Sequence, residues 1–384
     1  MAIKYSSTII LIFLCLLQPY IKGFSVFYLI VLLPFFFFKN VLRLKREEFF
    51  LVVSMFVLCA FHIIIGFSNY GVFSSRLLFV FSLNVLIFFT AKVIVENVFK
   101  NRTEEYFGRV VFYAIFINSI FICLLNTSIV SHDVFYSIVT TNPLVFQYPI
   151  PRYPGFTYDA FSYISTLTAF SFIFLLRNYL HFRTITFKKF FVLSVITFMA
   201  IVFSGRAGIL LSIMIVFLIF LCTKNKVIFF KLAVSFFLLF LISFSLNWQE
   251  YEWVKDWAFG FIFKLFSGSD IHELDSSVSG VVQSVFYPKN ILLGDGTDFS
   301  NIRSDLGFTR LFVSTGIIGL IFTVTLLFSP YIYVSLKYKS IPLFIVSCSL
   351  LLLNFKDVYL VSPYGHFMLL NMLFVFVLVS KKVM

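Results

Sequence analysis

Runs of roughly 16 to 24 apolar residues recur along this 384-residue chain, and they restrict its fold more than any other feature. About 20 apolar residues is the length an α-helix needs to cross the hydrocarbon core of a bilayer. Soluble domains carry about a quarter of their residues as charged side chains. Here only 12% are charged and 60% are hydrophobic, too little polar surface to cover a soluble core of this size. A membrane β-barrel is excluded by pattern, because its strands alternate apolar and polar residues over about ten positions. The fold class expected is all-α: a polytopic integral membrane protein, with residues 1–384 forming one transmembrane domain.

Spans are expected at about 5–21, 24–38, 49–67, 75–95, 108–126, 160–176, 189–204, 207–222, 227–247, 309–332, 341–354 and 364–380, about twelve helices. The first is read as a retained span, because Gln18-Pro19-Tyr20-Ile21-Lys22 follows it where a signal peptide would carry a small-x-small cleavage site. Cys15, Cys59, Cys123, Cys222 and Cys348 all lie in apolar runs. Their spacing fits neither a metal site nor a disulfide framework.

Charge fixes the expected orientation. Segments after even-numbered spans, with the two ends, hold 20 of the 30 Lys and Arg but only five acids, Glu47, Glu48, Glu96, Glu104 and Glu105. The opposite side holds the other 10 basic residues and 12 acids, so the sides carry +15 and −2 and sum to the net +13. Cytoplasmic loops carry the excess of Lys and Arg, which puts both termini in the cytoplasm of a cell with a bacterial-type inner membrane. The basic balance is then a matter of topology and anionic lipid, and no nucleic-acid partner is implied.

Two outer-face segments are too long to be turns. Residues 127–159 contain Pro143, Pro149, Pro151 and Pro154 and read as a non-helical connection. Residues 248–308 form the large outer (periplasmic) loop and hold all three tryptophans, Trp248, Trp253 and Trp257. Within it, 250–266 reads as a helix lying in the headgroup layer, with Trp253, Trp257, Phe261 and Leu265 on one face. Inner loops are short, and long connections of this kind are more often functional than idle.

Four of the outer-face arginines stand out, at or near span ends: Arg152, Arg206, Arg303 and Arg310. Taken singly, each is a residue that snorkels its guanidinium to the interface. Taken as a set flanking three segments, they suit a diphosphate headgroup, whose oxygens a guanidinium grips in pairs. Candidate proton acceptors are Asp159, His272, Glu273, Asp275, Asp305 and His366. Asp159 opens a span, where helix capping is the plainer role. His272 lies in the polar stretch Ser269-Asp270-Ile271-His272-Glu273, and His366 lies near the outer end of the last span, close to Lys356 and Asp357. His62 and His181 show no partner in the sequence and read as structural. Gly294-Asp295-Gly296, alone, reads as a turn. No glycine-rich nucleotide loop, zinc spacing or nucleophile elbow is present.

The order of the motifs resembles the Wzy-type O-antigen polymerases, and O-antigen ligases share much of the layout. The motifs are Arg152-Tyr-Pro-Gly-Phe-Thr-Tyr-Asp159, Ser204-Gly-Arg206-Ala, Leu293-Gly294-Asp-Gly296, and Asp305-Leu-Gly-Phe-Thr-Arg310 with Gly316-Ile-Ile-Gly319. The resemblance covers roughly residues 150–380. It implies a metal-independent membrane glycosyltransferase of lipopolysaccharide biosynthesis, with no cofactor. Its donor and acceptor would be undecaprenyl-diphosphate-linked glycans, and a chain-length regulator is a further partner it admits. The resemblance gives Arg152, Arg206 and Arg310 diphosphate or glycan-chain contacts, with Arg303, Lys356 and His366 as further substrate-binding candidates. Asp159 and His272 stand as alternatives for the catalytic base. Such proteins often carry an arginine after the Asp-Ser of the large loop, whereas Asp275-Ser276-Ser277-Val278-Ser279-Gly280 has none. Its role would be missing or moved to Lys289 or Arg303. The ligase, and a lipid-linked oligosaccharide flippase or other transporter, are the competing readings. A transporter would place charges at mid-membrane and show two similar halves.

Overall fold

The computed structural model describes residues 2–36, 43–68, 75–141, 143, 153–157, 162–222, 288–296, 302, 307–354 and 365–380. The span expected at 227–247 and the interfacial helix at 250–266 lie outside these residues. What is described is mostly helical. Among the described residues five helices are long and apolar enough to cross a membrane, and shorter apolar helices accompany them. The chain divides into two compact units, one of residues 1–29 and 102–269, the other of 30–101 and 270–384.

The first unit opens with α1 (Ala2–Leu17), which stops where Gln18 turns to positive φ ahead of Pro19. Strands β1 (Tyr20–Ile21) and β2 (Phe24–Ser25) form a hairpin, and β3 (Val139–Thr140) adds to the free edge of β1. Helix α2 (Val26–Val31) straddles the division between the units, and α3 (Leu33–Phe36) follows it. The continuous span expected at 24–38 is therefore not formed. It starts as a strand and its helix breaks at Leu32, because Pro34 has no N–H and its ring crowds the carbonyl four residues back.

Helix α6 (Glu104–Asn126) begins where the Thr103 hydroxyl caps the Tyr106 N–H at 3.2 Å. Glu104 and Glu105 in its first turn favour the positive end of the helix dipole. The segment after α6 is not the wholly non-helical connection expected, since α7 (His132–Tyr136) and β3 form within it. Helix α8 (Ser162–Leu180) packs against α6, α9 (Phe187–Ser204) and α10 (Arg206–Cys222) and is buried along most of its length. Two of its buried hydroxyls turn back on their own helix: Thr166 donates to the Tyr163 carbonyl at 3.0 Å and Ser171 to the Thr168 carbonyl at 2.6 Å. That is how polar side chains remain satisfied in a water-free interior. At the far end of α8, Arg177 pairs with Glu104.

The second unit is built from α4 (Arg46–Ser68), α5 (Ser75–Ile94) with its π-helical extension Val95–Phe99, α11 (Gly307–Lys337), α12 (Ile341–Leu353) and α13 (Gly365–Ser380). Helix α13 is buried at every position from 365 to 379, and the Tyr331 hydroxyl of α11 donates to Asn371 within it at 2.8 Å. His62 has partners that the sequence did not reveal: it hydrogen-bonds Thr323 at 3.1 Å and stacks on Phe81. These contacts join α4, α5 and α11, which agrees with a structural role. Where α4 begins, Lys92 is buried against Glu48 and also donates to the Arg43 carbonyl at 2.7 Å. Glu48 in turn accepts the Lys45 N–H at 2.9 Å. These added hydrogen bonds offset part of the desolvation of an ion pair shut away from water, and among the described residues Glu48 Oε1 takes no hydrogen bond.

Candidate functional site

Two of the motif segments are held rigidly, each within its own unit and by a different chemistry. In the first unit, Tyr153-Pro154-Gly155-Phe156-Thr157 lies along α6 and is gripped by two asparagines. Asn126 exchanges both hydrogen bonds with the Tyr153 backbone, accepting from its N–H at 3.3 Å and donating to its carbonyl at 3.1 Å. Asn118 accepts the Phe156 N–H at 2.8 Å and donates to the Pro154 carbonyl at 3.2 Å. Each side-chain amide supplies one donor and one acceptor to backbone that no strand or helix satisfies. Gly155 sits between the two grips at φ +69, and a Cβ there would overlap the Asn118 amide oxygen. Only glycine fits both demands.

Aromatic packing fixes the same segment from the other side. His132 stacks on Tyr153 with ring centroids 3.7 Å apart while its Nε2 meets the Leu125 carbonyl at 2.7 Å. Phe156 packs edge-on against Phe13, Phe121 and Phe135. Burial raises the Tyr153 hydroxyl above its ordinary pKa, and the nearby Asp133 carboxylate adds to the effect. Burial likewise raises Tyr136.

In the second unit the motif is held to α11 by backbone alone. Helix α11 is interrupted at Gly316, where φ is +69 and ψ −174. The break costs the bonds that Ile317 and Ile318 would make to the carbonyls of Val313 and Ser314. The 290–296 loop replaces both sides of that loss. Ile317 N–H donates to the Ile291 carbonyl at 2.9 Å and Ile318 N–H to Leu292 at 3.3 Å. The freed carbonyls of Val313 and Ser314 accept from Asp295 N–H at 2.8 Å and Gly296 N–H at 3.2 Å. Gly294 and Gly316 must approach so closely that a Cβ on Gly294 would lie 2.5 Å from the Gly316 nitrogen, and one on Gly316 would overlap the Leu292 carbonyl. The loop is also locked internally. Asp295 accepts from Lys289 N–H at 2.6 Å, and Asn290 accepts from Leu292 and Leu293 N–H, both at 3.1 Å.

This corrects two expectations. Gly294-Asp295-Gly296 is more than a turn, and 309–332 is not one continuous helix. Irregular backbone at membrane depth is tolerated where protein satisfies it, and here the glycine loop does so.

Among the sequence candidates, Arg206 starts α10 directly after Gly205, which ends α9, and nothing is described of its side chain. The tight Ser204-Gly205-Arg206-Ala207-Gly208 turn lets α10 press on α8, since a Cβ on Gly208 would overlap the Ser165 carbonyl. Arg310 lies half-buried in the first turn of α11, whose start is tied to α12 by Phe308 N–H and the Asn354 carbonyl at 3.2 Å. His366 is buried at the start of α13. Arg152, Asp159, His272, Glu273, Asp275, Arg303, Asp305 and Lys356 lie outside the described residues. The sequence reading passed over Asn118 and Asn126. Their signal was two amides in an otherwise apolar helix, upstream of a proline-rich segment in need of backbone partners.

Compared with family models, with curated proteins and with solved structures, the chain matches none.

Proposed function

We propose that this chain is an O-antigen polymerase of the Wzy type, joining undecaprenyl-diphosphate-linked repeat units at the outer face of the inner membrane. The observation that carries the reading is that its motif segments are built structures. Tyr153–Thr157 is clamped by Asn118 and Asn126, and Leu293–Gly296 is threaded into the break at Gly316. Each clamped segment is close in sequence or in structure to an arginine, Arg152 before the first and Arg310 two turns ahead of Gly316. Catalytic groups need this kind of rigid support to hold their geometry.

In the proposed reaction a hydroxyl of the incoming lipid-linked repeat attacks the anomeric carbon of the growing glycan. A new glycosidic bond forms, and the bond from that carbon to the diphosphate oxygen breaks. The hydroxyl proton passes to Asp159 or His272, and undecaprenyl diphosphate leaves. Negative charge gathers on the leaving diphosphate, and arginines fixed beside it would stabilise that charge most in the transition state.

The deciding experiment is the surface-glycan profile of a deletion strain. Loss of a polymerase leaves core carrying one repeat and no ladder of longer chains. Core with no repeats and accumulated lipid-linked polymer would make the protein a ligase. Lipid-linked single units held on the cytoplasmic side would make it a flippase. A normal ladder in a strain with no redundant enzyme sinks the proposal.

A further inference from the structure

A groove of about 400 Å³ runs between the first turns of α4 and the last turns of α11, both in the second unit. That is within the size range of ligand sites. Its walls are apolar: Phe50 and Val53 from α4, Pro330 and Val334 from α11. Its mouth is charged, with Arg46, Glu47 and Lys337. From Arg46 to Val53 the helix rises by about 10 Å, so the groove leads from headgroup depth into the hydrocarbon layer.

The charges at the mouth do not cancel. Lys337 donates to Glu47 at 2.6 Å and the Tyr338 hydroxyl donates to the same carboxylate oxygen at 3.1 Å. Glu47 is thereby committed to Lys337. Among the described residues no carboxylate pairs with Arg46, which is exposed. Two cations against one carboxylate leave one positive charge, carried by a guanidinium whose fork suits two phosphate oxygens. The apolar side chains Phe49, Phe50 and Tyr333 beside it are exposed as well, as membrane-facing residues are.

We infer that this groove binds an anionic phospholipid, its phosphate on Arg46 and an acyl chain along Phe50, Val53, Pro330 and Val334. Under the charge-derived orientation this is a lipid of the cytoplasmic leaflet, where anionic headgroups attract basic side chains. The site owes nothing to the polymerase reading and would stand if that reading failed.

The full chain is purified in mild detergent, delipidated and mixed with equal amounts of phosphatidylglycerol and phosphatidylcholine. Retained lipid is then counted by native mass spectrometry. The site predicts one tightly held phosphatidylglycerol, favoured about tenfold over phosphatidylcholine, as expected for charge-assisted hydrogen bonds. Arg46→Ala should bring the two lipids to parity, and Arg46→Lys should keep part of the preference. Val53→Trp, which fills the groove from a partly exposed position and leaves Arg46 in place, should remove the tight copy. Should that variant fail to fold, Arg46→Ala still decides, because its side chain is exposed at a helix start. Equal retention by the unaltered protein would mean annular lipid only and overturn the inference. A preference that survives Arg46→Ala would place the headgroup elsewhere and overturn it too.

Discussion

The two clamped segments solve one problem by opposite means. Both are stretches of irregular backbone laid against apolar helices, where unpaired N–H and C=O groups are costly. At Tyr153–Thr157 the partners are side chains, the amides of Asn118 and Asn126. At Asn290–Gly296 they are main-chain groups exposed when α11 breaks at Gly316. Side-chain clamps can be removed one at a time without altering the helix that carries them. A backbone clamp belongs to the helix itself, and only the absence of a Cβ permits it. The first segment should therefore be separable from the fold by mutation, and the second should not.

The largest effect tests that contrast directly. Gly316→Leu forces a positive φ on a branched residue and drives its Cβ into the Leu292 carbonyl. The backbone strain alone costs about 1–3 kcal/mol, before the overlap is counted. Membrane-inserted, monodisperse protein should fall to a small fraction of normal by size-exclusion profile. A normal profile would mean that the helix break is dispensable.

The arginines come next, and they concern activity rather than folding. Arg152→Ala, Arg206→Ala and Arg310→Ala should each reduce polymer by about 10²–10³ in rate, the usual effect of losing one transition-state donor. Protein level should stay near normal, and lysine should restore only part of the activity. Near-full activity in all three alanine variants would return these residues to interfacial snorkelling.

Smaller again is Asn118→Ala, which leaves the part-buried Phe156 N–H without its partner while the Pro154 carbonyl keeps the Thr157 hydroxyl. The abandoned N–H costs about 1–3 kcal/mol. The expected outcome is inserted protein with a locally released loop, seen as faster amide exchange at 155–157 and shortened polymer. Unchanged exchange there would remove Asn118 from the clamp. Asn126→Ala should do least, about 1 kcal/mol, because Asn126 is only partly buried and water can take over its bonds. If Asn126→Ala proves the more damaging of the two, burial is not what grades the clamp.

The sequence carried some of this plainly. Apolar runs of membrane length point to the helical class, and among the described residues five long apolar helices and several shorter ones stand at such runs. Punctuation by proline was legible in principle: Pro19 follows the end of α1, and Pro34 breaks the run at 24–38. The motif glycines and arginines could be picked out by type and order. Their partners could not. Asn118 lies 36 residues before Pro154, and Ile291 lies 26 before Ile317.

What the sequence by itself determined is therefore the solvent this protein folds in. Hydropathy is summed over a local window, and a window of about 20 residues is all a bilayer requires. Tertiary structure alone decided how the irregular segments are satisfied. Hydrogen bonds are short-range and directional, and whether the Ile317 N–H finds Val313 or Ile291 depends on which chain segment lies within 3 Å of it. A helix reading assigns that bond to Val313 by default, because four residues back is the only partner the local pattern contains. The loop that takes its place arrives from a distant part of the chain, and it fits because Gly294 and Gly316 have no side chains to keep them apart.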